Sequence, residues 1–264
     1  MSMELVTLGS SASFPAAGGA CSGYLVRHGA TELLLDCGTG VLSRLQLETT
    51  VRSLTAIVIT HFHPDHYLDL VSMRYGLHYG IEAPFRPLLY LPPGGIALLE
   101  RVGIGLRNSP TYFSKAFELR EYDPATELVL GSLTLTFQLT THDEPTWAVA
   151  VDDGESRLVY SADTRESEEV ERFAMGADLF LCESTYPADL ADIPSHNHLT
   201  SRQAGELAQR AGVHRLVLTH FWPGIDLSRY AAEAEAVFDG PIDLAEPGLR
   251  FRIAKATELM AAST

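Results

Sequence analysis

Apolar and polar residues follow two rhythms along the chain. Short apolar, β-branched runs bounded by turn residues predict strands over 4–8, 24–27 and 32–35, and an uninterrupted apolar run predicts a buried strand over 54–59. A helical period follows over 66–77 and 96–106. The stretch from 117 to 151 is rich in period-two alternation, clearest in LTLTFQL at 133–139. Beyond it, strands over 158–160, 179–181 and 216–218 interleave with helices over 167–175, 201–211 and 228–238. That interleaving predicts an α/β fold. With no linker, internal repeat or low-complexity tract in view, residues 1–264 are expected to form one domain, with loops at 92–95, 105–115 and 186–197.

Composition narrows the partners. A chain of 264 residues with 46% apolar content can bury a large core. Its 34 acidic and 19 basic side chains give a formal charge of −15, and no basic run exceeds a pair, which disfavours a large RNA as partner. Carboxylates gathered around cations would account for part of that charge. Cys21, Cys37 and Cys182 are odd in number and lack CxxC spacing, so they read as small buried residues. The first residues lack a basic and an apolar targeting region, and no run approaches the roughly 20 apolar residues of a membrane span. A cytoplasmic protein without membrane contact is expected, and a homodimer is compatible with the sequence.

The chemistry concentrates in THFHPDH at 60–66, directly after an apolar strand. Imidazole and carboxylate suit Zn²⁺, Mn²⁺ or Fe²⁺, and one tight loop cannot aim His61, His63, Asp65 and His66 at a single ion. Pro64 and Asp65 are also ordinary choices for opening a helix, which leaves the three histidines unexplained. Three more polar residues follow apolar strands: His142 after LTLTFQLTT, Asp163 after RLVYSA and His220 after RLVLT. Singly, each has a bland explanation as a turn residue or helix cap. Together they complete two ligand sets. His61, His63 and His142 would serve one ion, Asp65, His66 and His220 the other, and Asp163 would bridge them, leaving a shared open position for water or hydroxide.

HxHxDH followed by single ligands after later strands resembles the metallo-β-lactamase superfamily, and the likeness runs from LVTLGSSASFP (5–15) through LLLDCGTG (33–40) to VLTHF (217–221). The resemblance implies an αββα sandwich, two mixed β-sheets flanked by helices, with two divalent metals at one edge, zinc first and Mn²⁺ or Fe²⁺ as alternatives. It also implies that Asp36 supports the metal loop by hydrogen bonding. LCESTY (181–186) and SHNHLTSRQAGELA (195–208) are similar to the glutamate and histidine motifs of ribonuclease Z-type phosphodiesterases. Glu183 would hold His198 near the scissile phosphate, Thr200 and Gln203 would cap the next helix, and His196 competes for that place. A plainer role for Glu183 is pairing with Arg202.

The resemblance thus implies Asp65, Glu183 and His198 as the catalytic set, with a metal-bridging hydroxide attacking phosphorus and His198 protonating the leaving oxygen. Two departures set the substrate. Only 21 residues separate His142 from Asp163, too few for the arm with which ribonuclease Z grips tRNA, and DHYLDL replaces its glycine-containing sequence. The chain looks more like the arm-less bacterial branch that includes cyclic-nucleotide phosphodiesterases, so a small phosphodiester is expected. The alternatives are a tRNA 3′-processing endoribonuclease and a lactonase or other carbonyl-ester hydrolase. GIGLRN (103–108) lacks the last glycine of GxGxxG and follows a helical pattern, which argues against a dinucleotide site. His78, Tyr112, Phe113 and Trp222 are candidate pocket walls.

Overall fold

The computed structural model describes residues 2–80, 85–190 and 197–255. Among them, β1 (Met3–Gly9), β2 (Gly23–His28), β3 (Thr31–Leu35), β4 (Ala56–Val58), β5 (Leu88–Leu91) and β6 (Glu118–Glu121) build most of a first sheet. A second sheet comprises β7 (Leu128–Leu130), β8 (Leu133–Leu139), β9 (Trp147–Asp152), β10 (Arg157–Tyr160), β11 (Leu179–Glu183), β12 (Leu216–Thr219) and β13 (Ile242–Leu244). The last strand, β14 (Arg250–Ile253), returns to pair with β1, which gives the orders β14-β1-β2-β3-β4-β5-β6 and β13-β12-β11-β10-β9-β8-β7. Both sheets are mixed. β1 to β3 and β7 to β10 pair antiparallel, whereas β3 to β6 and β10 to β13 pair parallel.

Side-chain alternation creates the layers. Leu33 and Leu35 of β3 face the second sheet while Leu34 faces the helices; in β10, Leu158 and Tyr160 point inward and Val159 outward. The inner faces meet in one apolar layer that includes Leu5, Tyr24, Leu35, Val58, Leu135, Val151, Leu181 and Val217. Outside the first sheet pack α1 (Val41–Glu48), α3 (Asp69–Tyr79) and α4 (Gly95–Arg107), through Val41, Leu45, Leu70, Met73 and Leu99. Outside the second pack α5 (Glu168–Ala174), α6 (Ser201–Ala211) and α7 (Leu227–Glu235), through Val170, Leu207, Ala208, Tyr230 and Ala234. This is the αββα sandwich. Each buried leucine of the inner layer contributes about 1.5–3 kcal/mol, so Leu135→Ala would cost about 2–5 kcal/mol once its cavity is included.

The parallel strands matter most for the site. Asp36 follows β3, His61 follows β4, Asp163 follows β10, Glu183 ends β11 and His220 follows β12, so five different strand ends deliver polar groups to one edge. Several elements differ from expectation. The helical run at 66–77 divides at Leu68 into a short α2 (Pro64–Tyr67) and α3. Helix α4 claims residue 95 at one end and 105–107 at the other, terminating at Asn108 in a left-handed conformation, so GIGLRN is helix rather than a phosphate loop. Helix α1 and strands β5, β13 and β14 were not among the expected elements; β13 has three residues, all half-buried, too short for a period to show. Residues 191–196 of the expected loop at 186–197, with His196, lie outside the described residues.

Candidate metal centre

A buried carboxylate anchors the histidine loop. Asp36, with φ 58°, accepts the backbone N–H of Thr60 at 2.8 Å on Oδ1 and receives His66 Nδ1 at 2.8 Å and the Tyr160 hydroxyl at 3.1 Å on Oδ2. That fixes the His66 ring with Nε2 directed away from Asp36. His63 is the N-cap and Pro64 the first residue of α2, which places Asp65 in the first turn, where a carboxylate is favoured. Gly38 makes the close approach possible: a Cβ there would lie 1.9 Å from the Asp65 carbonyl oxygen.

The expected ligands converge. His61, His63, His142 and Asp163 each offer one atom, all within 4.8 Å of one another; Asp65, His66 and His220 form a second such group, and Asp163, Glu183, His198 and His220 a third. Asp163 joins the first two, with Oδ1 3.2 Å from His66 Nε2 and Oδ2 3.6 Å from His61 Nε2 and 3.5 Å from His220 Nε2. His220 Nδ1 is held by the Thr185 hydroxyl at 2.8 Å, and its Nε2 lies 3.2 Å from Asp65 Oδ2. His142 is held through Nδ1, which donates to the Asn197 carbonyl at 3.0 Å.

Four of these buried atoms, His61 Nε2, His66 Nε2 and both oxygens of Asp163, make no well-directed hydrogen bond within the protein and, at 3.2–3.6 Å, meet only one another and His220 Nε2. An unpaired buried polar atom costs about 1–3 kcal/mol, and four around one point match a site built for cations. Glu183 is the opposite case. Its Oε1 accepts Thr164 N–H at 2.6 Å and His198 Nδ1 at 3.0 Å; its Oε2 accepts the Thr185 hydroxyl at 2.9 Å and Leu199 N–H at 3.2 Å. With all its lone pairs engaged, Glu183 fits a holder of His198 better than a ligand. Arg202 pairs with Glu206 instead, which removes the plainer role for Glu183. His198 sits directly before α6, whose start carries the expected Thr200–Gln203 capping box.

Backbone strain gathers at the same edge. Among the described residues, Ser13, Asp36, Asn108, Ala162 and His220 are the non-glycines with positive φ, and all but Asn108 touch or adjoin the site. Such conformations cost about 1–3 kcal/mol each and persist where surrounding bonds enforce them. Ser13 shows the enforcement: its N–H donates to Asp65 Oδ2 at 2.7 Å. Charge is equally biased. Burial and His66 hold His61 well below the ordinary histidine range, whereas Asp163, Asp36 and Asp65 overcome burial and carry His66 well above it. Burial would raise Asp163, but His220, His66 and His61 hold it well below the usual carboxylate range. For His198, burial is outweighed by Glu183, and its pKa is pushed up to about 9.

Three expected pocket walls are corrected. Tyr112 and Phe113 are 2% and 1% exposed and pack in the core beside α3, where Arg74 lies over the Tyr112 ring. His78 stacks edge-on against Tyr79 at the far end of α3. Trp222 follows His220 by two residues, and its backbone N–H donates to the carbonyl of Thr185, the residue whose hydroxyl meets His220 Nδ1. Sequence reasoning missed Asp143, whose Oδ1 is 3.1 Å from His142 Nε2 and 3.7 Å from His63 Nε2, and Thr185, which links Glu183 to His220. Asp143 directly follows a proposed ligand, which was the available signal.

Known proteins share this fold and family. The family model described as beta-lactamase superfamily domain matches residues 31–221. The probable metallo-hydrolase YhfI of Bacillus subtilis is 31% identical over 250 residues, covering 93% of this chain and 98% of YhfI. Its crystal structure matches with a TM-score of 0.84 at 28% identity, over 95% of this chain and 99% of that one. Ribonuclease Z of Myxococcus xanthus is 28% identical over 298 positions, covering 93% and 96% of the two chains. Human short-form tRNase Z shares the fold, with a TM-score of 0.74 at 21% identity over 95% and 99% of the chains. The chain belongs to the β-lactamase superfamily and is a hydrolase of the metallo-β-lactamase fold, close to YhfI and to the ribonuclease Z branch. No helix among the described residues is long and apolar enough to cross a membrane.

Proposed function

We propose that the chain is a phosphodiesterase acting on a small phosphodiester with two divalent cations, zinc being the expected metal. The observation that carries this reading is the Glu183–His198 pair at 3.0 Å, set against the buried atoms of Asp163, His61 and His66 that make no well-directed hydrogen bond. His61, His63 and His142 would hold one ion, Asp65, His66 and His220 the other, and Asp163 both. When bound, the ions supply Lewis acidity and bring the pKa of a bound water near 7.

The chain's own groups do the rest. Asp36 and Thr185 orient His66 and His220 through their Nδ1 atoms, so that Nε2 of each faces inward. Glu183 fixes the His198 ring and favours its protonated form, which suits donation of a proton to a departing alkoxide. An ester or lactone alkoxide would use the same donor, so the two chemistries are separated by the substrate panel below.

Small size follows from what joins the ligands. Between His142 and Asp163 the chain forms only the antiparallel β9–β10 hairpin, in which Asp152 pairs with Arg157, and no projecting arm. The alignment with the Myxococcus ribonuclease Z spans more positions than this chain has residues, so that enzyme carries insertions this chain lacks. The charge of −15 also withholds the phosphate neutralisation that binding of a large RNA requires.

The test is a substrate panel with zinc- or manganese-loaded protein: cyclic AMP, a chromogenic phosphodiester, precursor tRNA and a lactone. Turnover of the small phosphodiesters is expected. Turnover of the lactone alone would overturn the reading, and efficient cleavage of precursor tRNA would move it to the ribonuclease Z activity.

A further inference from the structure

We infer that Phe14, Tyr186 and Trp222 form a stacking platform for the nucleobase of a nucleotide substrate whose phosphodiester sits at the proposed metal centre. The inference rests on the phosphodiesterase reading and adds the part of the substrate that reading leaves open. The three rings come from three separate segments, yet they meet. Phe14 and Trp222 lie edge to face, with centroids 5.7 Å apart and planes at 89°; Tyr186 and Trp222 are 5.4 Å apart at 31°.

Each ring is tied to the site by backbone one or two residues away. Ser13, before Phe14, donates to Asp65; Thr185, before Tyr186, holds His220 Nδ1; Trp222 follows His220 by two residues. The Trp222 N–H donates to the Thr185 carbonyl at 3.1 Å, and the Tyr230 hydroxyl donates to the same oxygen at 3.0 Å, so the Tyr186 and Trp222 segments are locked together. The Phe14 segment is fixed as firmly: Ala12 N–H donates to the Phe221 carbonyl at 2.9 Å, and Ala16 N–H to the Ser11 hydroxyl at 3.1 Å. Position relative to the ligands is therefore set by the fold.

What such a platform would take is decided by exposure and neighbourhood. Tyr186 is 8% exposed and backs the group, whereas Phe14 is 49% exposed although its backbone is held on both sides. The held backbone keeps the Phe14 ring in one place and open to a ligand. Beside a phosphodiester centre, the exposed ring of Phe14, standing perpendicular to Trp222, offers a π-face for a purine or pyrimidine, which stacks on aromatic rings without needing base-specific hydrogen bonds. The platform would favour the larger purines and discriminate weakly among bases.

The experiment pairs kinetics with a binding signal that does not need turnover. Zinc-loaded parent, Phe14→Leu and Trp222→Leu proteins are given cyclic AMP and the base-free ribose 3′,5′-cyclic phosphate. In the parent, kcat/KM should favour cyclic AMP, and in each variant that preference should fall on the order of tenfold. Separately, adenosine should quench tryptophan fluorescence of the parent and of Phe14→Leu more weakly, with no response from Trp222→Leu, in which Trp147 remains as an internal control. Equal kcat/KM for both substrates in the parent, or no quenching by adenosine, would overturn the platform. If neither phosphodiester is turned over but adenosine still quenches the parent through Trp222, the phosphodiesterase reading fails and the platform stands.

Discussion

Glu183 Oε1 lies 3.0 Å from His198 Nδ1, and the same carboxylate accepts three further hydrogen bonds from Thr164, Thr185 and Leu199. The pair joins β11 to the start of α6 and places a protonatable ring beside Asp163. If His198 delivers the proton to the leaving oxygen, His198→Ala should lose on the order of 10²–10⁴ in kcat on an alkyl phosphodiester and much less on a p-nitrophenyl ester, whose oxygen leaves without help. Metal content should persist. Glu183→Gln removes one acceptor oxygen and sets an amide N–H₂ against two donors, so it should lose rate and also about 1–3 kcal/mol of stability. Equal losses on both esters in His198→Ala would remove the proton-donor role.

Asp36 touches none of the proposed ions, yet it holds the His66 ring at Nδ1. Asp36→Asn should weaken metal binding by roughly 10- to 100-fold while leaving all seven ligands in place. Titration of the metal-free protein with zinc against a competing chelator reads this directly, and an unshifted affinity would mean that the loop is held by its backbone alone.

The raised pKa of His66 has a consequence for metal uptake. Burial opposes the charged ring, but Asp163, Asp36 and Asp65 keep it protonated well above the ordinary histidine range, so an arriving cation must displace that proton. Since the proton favours the metal-free state below the His66 pKa, affinity should weaken as pH falls, by about tenfold per pH unit for each proton displaced. Calorimetry in buffers of different ionisation enthalpy should show proton release on binding. Affinity that stays level between neutral and acidic pH, with no buffer-dependent heat, would contradict this.

Gly38 sits where a Cβ would fall 1.9 Å from the Asp65 carbonyl oxygen, a backbone atom that cannot rotate away. Gly38→Ala should push the Asp65–His66 turn outward and cost about 1–3 kcal/mol of stability by overpacking. Loss should fall first on the ion held by Asp65, His66 and His220. Denaturant midpoints and metal stoichiometry check both parts, and a variant with parental values for each would show that the turn yields more easily than its packing suggests.

Much of this was legible in the sequence, for identifiable reasons. Candidate metal ligands sit where rigid strands end, and an apolar run followed at once by histidine or aspartate marks such places; His61, His142, Asp163 and His220, marked in this way, do converge at one edge. The αββα layering was carried by the HxHxDH resemblance more than by periodicity. Short or half-buried strands such as β13 show no alternation, and α2 and α3 read as one helix because the break at Leu68 changes no polarity pattern. Tyr112 and Phe113 looked like pocket walls because they neighbour turn residues, but the aromatic and guanidinium packing around Arg74 draws Tyr112 into the core, with Phe113 packed against it. Asp143 and the Phe14–Trp222 contact depend on segments distant in sequence meeting at one edge, which pattern along the chain does not encode.

The central claim is that seven side chains hold two ions with Asp163 between them. Zinc-loaded crystals measured at the zinc absorption edge test it most directly. Two anomalous peaks are predicted, one among His61, His63, His142 and Asp163 and the other among Asp65, His66, His220 and Asp163, with none bound by Glu183. A single peak, or a peak coordinated by Glu183 and His198, would contradict the account.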